Sequence, residues 1–444
     1  MQVWKFGGTS VGKPERMKSI RDLVTADQGR KLVVLSALSG STNALLDIGE
    51  ALKQKDLARA NGLIDELRAH YYAFIEELFE TPEGLDHGRQ IISSEFNVIA
   101  NLATYQPFTL KQDKELVAEG EILSTQLFTA YLMERGDSVA LIHALDFMKI
   151  DADGEPLFPE IESDLKSLLD DKENSQIVVT QGFICRNPEG NIDNLKRGGS
   201  DYTASLIGGA LTAEEIQIWT DIDGMHNNDP RVVKRTFPVR YLTFEEAAEL
   251  AYFGAKILHP STITPAKLRG VPVRLKNTME PEAPGTLISA STSAGAEITA
   301  IAAKDNITAI YIHSTRMLNA YGFLKKVFDV FEKYKTPVDM ITTSEVSVAV
   351  TIDNSEHLEA ITAELSQFAD LEEHDRNQTI ICVVGQFFAD KSGVAFRILE
   401  ALRDIPVRMI SYGASEHNVS ILVDTNHKNL ALEALNEGLF TFEK

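Results

Sequence analysis

At 444 residues, with 44% hydrophobic and 24% charged side chains, the chain carries enough apolar material for two or three domains that each bury a core. A formal net charge of −22 leaves nothing to offset phosphate repulsion and argues against a nucleic-acid partner, although an anionic small substrate needs only local positive charge. Two cysteines, Cys185 and Cys382, form neither a disulfide framework nor a metal cluster; with no bilayer-spanning apolar run and no signal-peptide pattern, a cytoplasmic protein without a structural metal or membrane partner is expected.

Residues 3–6 predict a short strand, followed by Gly7 and Gly8, where the backbone can adopt φ > 0 and approach a ligand closely. Pro14 then opens a helix with apolar residues at Met17, Ile20, Leu23 and Val24. Strand, glycine turn and helix turn unpaired N–H groups toward an anion, and Lys5 stands one residue before the turn, within reach of bound phosphates. No G-x-x-x-x-G-K-[ST] occurs, so this is not a Walker loop. Residues 8–12 also match G-x-S-x-G, the nucleophile elbow of serine hydrolases, with Ser10 as nucleophile; an elbow normally follows several strands, whereas one predicted strand precedes it here.

Residues 31–35 predict a second apolar strand ending in a polar loop that runs from Ser36 to Thr42 and Asn43. Two strands ending in such loops imply a parallel α/β sheet with its ligand at the carboxyl ends. From residue 43 to about 103 the pattern is helical, with one break at Thr81-Pro82. Residues 115–135 predict another helix whose first turn Gly120 interrupts; Glu121 can project into a site from there, although a solvated helix carboxylate is the simpler local reading. Strands follow at 138–142 and 177–180, the latter running into Gln181, Gly182 and Phe183.

In the next loop, Ser200 or Asp201 would cap a helix continuing through Ile207. A plain cap leaves Arg197, Gly198 and Gly199 unexplained: the Arg197 fork suits a carboxylate, and Asp201 offers one near the cations that attend phosphates. A strand at 216–219 ends in a long polar loop, Thr220-Asp221 through His226 to Asp229-Pro230-Arg231, suited to a nucleotide. Thr243 and Glu246 form a capping box for a helix that reaches Lys256, which either complements the dipole or reaches a nucleotide. The sheet closes around 273–276, and 280–285 reads as a linker.

The remainder repeats one order twice, in residues 307–352 and 380–424: strand, glycine-led amphipathic helix (Gly322, Gly393), and two further strands. Such units pack helices on one face of a small sheet and suggest a ligand-binding or pairing module.

Taken in order, Lys5-Phe6-Gly7-Gly8-Thr9-Ser10, Ser36 with Thr42-Asn43, Glu119-Gly120-Glu121, Gln181-Gly182-Phe183, Arg197-Gly198-Gly199-Ser200-Asp201, Thr220-Asp221 with Asp229-Pro230-Arg231, and Phe253-Gly254-Ala255-Lys256-Ile257 resemble the aspartate kinases over nearly the whole chain. The resemblance implies an α/β fold: an amino-acid-kinase sheet with helices on both faces over 1–280, then ferredoxin-like ACT domains over 298–375 and 376–444, the first strand of the second exchanged with 298–305. It is to the single-function form, with no homoserine dehydrogenase domain expected after Lys444. It implies transfer of phosphate from ATP, with Mg²⁺, to the β-carboxylate of L-aspartate, the first step toward lysine, threonine and methionine, with lysine as feedback inhibitor and a homodimer or homotetramer as the assembly. By the same resemblance Lys5 and Asp201 are catalytic, and Ser36, Thr42, Glu121, Phe183, Arg197 and Ser200 hold aspartate. Lys5, Gly7, Gly8, Ser10, Thr220, Asp221, His226, Arg231, Lys256 and Ile257 would hold ATP. Met317, Gly322, Phe323, Leu324, Val338, Asp339, Thr343, Ser344 and Glu345 match the lysine-responsive pattern. The alternatives are a glutamate or acetylglutamate kinase, a serine hydrolase acting through Ser10, and a non-catalytic amino-acid sensor built on the repeats.

Overall fold

A computed structural model describes the chain except residues 27, 196–197, 255–259, 292–296, 315–320, 372–374, 388–391 and 442–444. Arg197, Lys256, Ile257 and Met317 therefore lie outside the described residues. Two compact units emerge: Met1–Met225 with Leu258–Ser291, and His226–Ile257 with Thr292–Lys444.

In the first unit a sheet runs in the order Val139–Leu141, Ile177–Gln181, Lys31–Leu35, Gln2–Phe6, Ile216–Thr220, Val273–Asn277, Thr286–Ser289. All neighbours but the last pair are parallel. Lys31–Leu35 and Ile177–Gln181 are buried at every residue, as parallel strands covered on both faces must be. The final pair, Val273–Asn277 with Thr286–Ser289, is antiparallel. Residues 280–285, expected to be a linker, are instead the connection of this hairpin; their Pro and Gly content signals a turn equally well.

The helical insertion comprises Ser41–Lys53, Leu57–Leu78 and Pro82–Leu102. The expected break is present, with Thr81 Oγ1 accepting from the Gly84 N–H at 3.0 Å. A second break at 54–56 escaped the periodicity because it contains neither Gly nor Pro: Lys55 takes φ 61°, and Asp56 caps the next helix by accepting from the Arg59 N–H. The helix expected from 115 begins earlier, at Leu110, where Thr109 and Gln112 form a capping box. Gly120 thus lies in the helix interior and interrupts no first turn.

In the second unit the strands run Ile341–Thr343, Ser347–Ile352, Ile298–His313, Asp375–Gly385, Asn418–Asp424, Val407–Tyr412, with Asp370–Leu371 also on the long strand. Ile298–His313 serves both repeats. Its first half pairs with Asp375–Gly385 and its second with Ser347–Ile352, a register shift and Asn306 at φ 62° separating the halves. Gly322 (φ 83°) and Gly393 (φ 90°) take left-handed backbone as N-caps of Phe323–Lys333 and Val394–Ala401. Each repeat also carries a second helix, Leu358–Leu365 or Lys428–Leu439, that the strand-ending repeat pattern omitted. Two separate apolar cores result, one per repeat. Among the described residues no helix is long and apolar enough to cross a membrane.

Candidate functional site

Parallel register fixes where the polar loops emerge. Phe6 aligns with Leu35 on one side and Trp219 on the other, and Leu35 with Gln181, so the loops following these strands leave from one edge of the sheet. The chain order reverses at the strand Gln2–Phe6, the usual position of a ligand in an open α/β sheet.

Gly7 is extended (φ −76°, ψ 169°), and the chain turns directly into the short helix Gly8–Val11. Neither Gly7 nor Gly8 has positive φ, which corrects the conformational expectation. The two glycines supply room: a Cβ at Gly7 would lie 3.2 Å from Lys5 Nζ, and one at Gly8 3.1 Å from the Ala37 carbonyl oxygen. Lys5 Nζ stands 2.7 Å from Asp201 Oδ1, with the side chains 12% and 19% exposed. Ser10 is buried, its hydroxyl 2.8 Å from Thr278 Oγ1. A nucleophile elbow presents an exposed hydroxyl to an imidazole, so the hydrolase reading fails on this geometry.

The N-cap of the helix Gly199–Leu211 is Gly198, at φ 69°. Ser200 and Asp201 lie in its first turn and are not caps. Asp201 pairs with Lys5, and Ser200 Oγ accepts a 2.9 Å hydrogen bond from Ser36 Oγ. Gly182 permits that approach, since a Cβ there would strike Ser200. Phe183 takes φ 68°, an uncommon backbone for a large side chain, held by its N–H donating to Thr203 Oγ1 and its carbonyl accepting from the Leu195 N–H. Thr42 sits in the first turn of Ser41–Lys53, behind Gly40 at φ 86°.

Glu121 is only 4% exposed, so it is not a solvated helix carboxylate. Oε1 accepts from the Ala37 N–H at 3.2 Å, while Oε2 has no hydrogen-bond partner among the described residues. Gly120 explains the proximity: a Cβ there would come within 2.9 Å of Ala37 Cβ, so only glycine lets the helix pass this close to the loop. Burial pushes the Glu121 carboxyl up to about 7, opposed by the Ala37 N–H. Behind it, burial and then the neighbouring Glu95 push Glu119 up to about 9.

In the second unit, His226 Nδ1 lies 3.0 Å from Thr236 Oγ1. Arg231, 73% exposed, is forked onto Asp229 through Nε at 2.9 Å and Nη2 at 2.7 Å. In the first, Thr220 Oγ1 donates to Asp221 Oδ1. The regulatory candidates gather in the first repeat: Gly322, Phe323 and Leu324 open its helix, Val338 and Asp339 precede the strand Ile341–Thr343, and Ser344 and Glu345 form the exposed hairpin turn. Asp339 is engaged within the chain. Its side chain is 1% exposed, and Oδ1 accepts from both Lys304 Nζ and the Tyr252 hydroxyl at 2.8 Å. Sequence reasoning missed Lys304 and Tyr252 because both are remote in the chain. Gly182 was visible in its Gln-Gly-Phe context but not its contact with Ser200.

Residues 1–277 match the amino acid kinase family, and residues 310–366 and 381–439 each match the ACT domain. The chain is 34% identical to lysine-sensitive aspartokinase 3 of Escherichia coli (strain K12), over 99% of each chain. It belongs to the amino acid kinase family, among the aspartokinases. It is also 38% identical to chloroplastic aspartokinase 3 of Arabidopsis thaliana, over 99% of this chain and 81% of that protein. The solved E. coli aspartokinase III in complex with aspartate and ADP (R-state) aligns with a TM-score of 0.85, at 34% identity, covering 99% of this chain and 100% of that one. The same enzyme with lysine and aspartate (T-state) aligns at 0.81, with the same identity and coverage. The expected fold class, an amino-acid-kinase α/β sheet followed by ACT domains, is the one observed.

The buried acid pair gives a pH signature. The fold holds the Glu119 proton to about pH 9, while the unfolded chain releases it near the ordinary 4.5, so between those values the folded state binds more protons and stability falls as pH rises. Glu119→Gln removes this dependence. Its melting temperature, compared with wild type across that window by thermal denaturation, should gain steadily toward alkaline pH; a constant offset contradicts the protonated, buried assignment.

Proposed function

We propose that this chain transfers the γ-phosphoryl group of ATP to the β-carboxylate of L-aspartate, giving 4-phospho-L-aspartate, and that lysine inhibits it. One observation carries the reading: the Lys5–Asp201 ion pair and the Ser36–Ser200 pair join strand ends to the start of the helix Gly199–Leu211 at the carboxyl ends of a parallel sheet, and the half-satisfied Glu121 carboxylate of the helix Leu110–Glu134 meets the Ala37 N–H in the loop that follows one of those strands. The relative solved with aspartate and ADP supports the choice of substrates.

In this reading Lys5, Gly7, Gly8 and Ser10 attend the phosphates, and Asp201 orients the Lys5 ammonium. Glu121 accepts from the substrate α-ammonium through its unpartnered oxygen. Ser36, Thr42, Phe183 and Ser200 line the same substrate, and Arg197 clamps a carboxylate bidentately. Thr220, Asp221, His226, Arg231, Lys256 and Ile257 hold the nucleotide, Arg231 through Nη1, since Asp229 occupies its other two nitrogens. The nucleophile is already an ionised carboxylate, so no general base is needed; the barrier is repulsion between anions, lowered by positioning and by Lys5. Among the described residues no three His, Cys, Asp or Glu side chains form a metal-holding group. A Mg²⁺ would arrive on the ATP phosphates and neutralise charge there.

Lys5→Met should lower turnover by roughly a hundred- to a thousandfold, the loss of about 3–4 kcal/mol of transition-state stabilisation. The assay is coupled ADP release with aspartate, with glutamate, and with no acceptor. Retention of more than about a tenth of the wild-type rate contradicts the role, and ADP release with glutamate alone favours a glutamate kinase.

Glu121 must be ionised to accept an ammonium, and its carboxyl is raised to about 7, so acidification below neutrality protonates it. The KM for aspartate should therefore climb as pH falls through neutrality. Glu121→Gln should raise that KM above neutrality, where the wild-type carboxylate is ionised, converge with the wild type at acidic pH, and abolish the slope. A wild-type slope surviving in Glu121→Gln assigns the titration elsewhere.

Lysine control rests on the first repeat and on the relative solved with lysine. Lys304 already neutralises Asp339, so an effector ammonium would share that carboxylate through Oδ2, which has no hydrogen-bond partner among the described residues, or use the exposed Glu345. ACT repeats that pair across subunits would make the enzyme a homodimer or homotetramer. Inhibition needs only a preference for one global state, about 1.4 kcal/mol for tenfold. Rate curves against aspartate should move when lysine is added to wild type. Asp339→Ala should keep catalysis and lose that response; a wild type unmoved by lysine but shifted by threonine overturns the effector assignment.

A further inference from the structure

Residues 226–238 are built into the second repeat. Val233 is buried in the apolar core that the repeat forms from Ile381, Val383, Leu432 and Leu435, and the Phe237 ring meets Phe440 edge-on at 5.6 Å. Three asparagines, Asn227, Asn228 and Asn436, join the segment to the helix Lys428–Leu439 and are only 0%, 2% and 1% exposed. Their side-chain amides close a ring of hydrogen bonds. Asn227 Nδ2 donates to Asn436 Oδ1 at 2.9 Å, and Asn436 Nδ2 donates to the Arg235 carbonyl oxygen at 2.9 Å. Asn228 Nδ2 donates to the Leu432 carbonyl oxygen at 3.1 Å, with Asn436 Oδ1 at 3.4 Å. Asn227 Oδ1 accepts from the Phe237 N–H at 2.8 Å, and Asn228 Oδ1 from the Asp229 N–H at 2.9 Å.

Burying three primary amides brings little net stability over well-packed apolar side chains, because each hydrogen bond mostly replaces one made with water. What the ring does fix is register. Two side-chain oxygens grip backbone N–H groups of the segment, and the Asn227 backbone is tied to Phe237 and to Ile301 of the long strand. The grip continues outward. Asn228 sets the Asp229 backbone, and Asp229 Oδ1 accepts from both the backbone N–H and Nε of Arg231 at 2.9 Å. A continuous chain of hydrogen bonds thus runs from the second-repeat helix to an exposed guanidinium.

We propose that Asn227, Asn228 and Asn436 are positioning residues for the nucleotide, the second repeat aiming Arg231 through this ring; the inference rests on the reading of His226 and Arg231 as nucleotide-binding. The second repeat then sets ATP affinity independently of whether it binds an effector itself.

The test uses the full-length enzyme with Asn436→Leu, Asn436→Asp, Arg231→Ala and the Asn436→Leu/Arg231→Ala double variant. Asn436→Leu should raise the KM for ATP about tenfold, while the KM for aspartate stays within about twofold. It should add nothing to Arg231→Ala, because both act through one guanidinium. Asn436→Asp keeps the acceptor for Asn227 and Asn228 but sets a carboxylate oxygen against the Arg235 carbonyl in place of the donor, so it should also raise the KM for ATP. It also serves, by the same criterion, if the leucine variant does not accumulate folded. A lowered melting temperature with an unmoved KM for ATP, an equal rise in both KM values, or an additive double variant overturns the ring as a positioning device. An Arg231→Ala variant with an unmoved KM for ATP removes the nucleotide reading of the loop, and the proposal with it.

Discussion

The in-register ending of four parallel strands is the constraint on which the rest of the first unit depends. Because Phe6, Leu35, Gln181 and Trp219 align, loops far apart in sequence leave the sheet together, and their polar side chains need only short reaches to meet. Lys5 and Asp201 are 196 residues apart in sequence (201 − 5) yet form a half-buried ion pair, and Ser36 meets Ser200 across a similar span. Glycines complete the convergence by what they omit. Gly8 and Gly120 stand where a Cβ would crowd the loop at Ala37, and Gly182 where it would strike Ser200 in the first turn of its helix, so the motif glycines act mainly through steric room.

The same crowding sets the electrostatics. Placing Glu121 against the Ala37 N–H removes it from water and leaves one oxygen unsatisfied, an arrangement costly for the free protein. Such a group is repaid when a cation binds, which is why a perturbed carboxyl beside a strand-end cradle supports a substrate site better than it supports a structural role. Glu119, two residues away, shows the contrasting outcome: buried, and with the acid Glu95 beside it, it stays protonated.

Much of this was legible in the sequence, and the failures have local causes. Strand and helix order followed from apolar periodicity, and the glycine-led loops marked the ligand edge. The break at 54–56 was invisible because Lys55 adopts positive φ without being glycine. Ser200 and Asp201 resemble helix caps in sequence; that Gly198 takes the cap and frees them depends on a left-handed backbone that no side chain advertises. Glu121 read as solvated because its burial comes from the loop Gly120 admits. The partners of Asp339, Lys304 and Tyr252, arise from tertiary pairing, and one-dimensional spacing does not encode them. The asparagine ring is similar: Asn227 and Asn228 look like ordinary turn residues until Asn436 closes on them.

The central claim is chemical: a carboxylate acceptor becomes an acyl phosphate. Hydroxylamine trapping tests it most directly, since an acyl phosphate is converted to a hydroxamate whereas a phosphate ester or free phosphate is not. Incubated with ATP, Mg²⁺, L-aspartate and hydroxylamine, the enzyme should form aspartyl β-hydroxamate in step with ADP. ADP release from those components without hydroxamate would contradict the account.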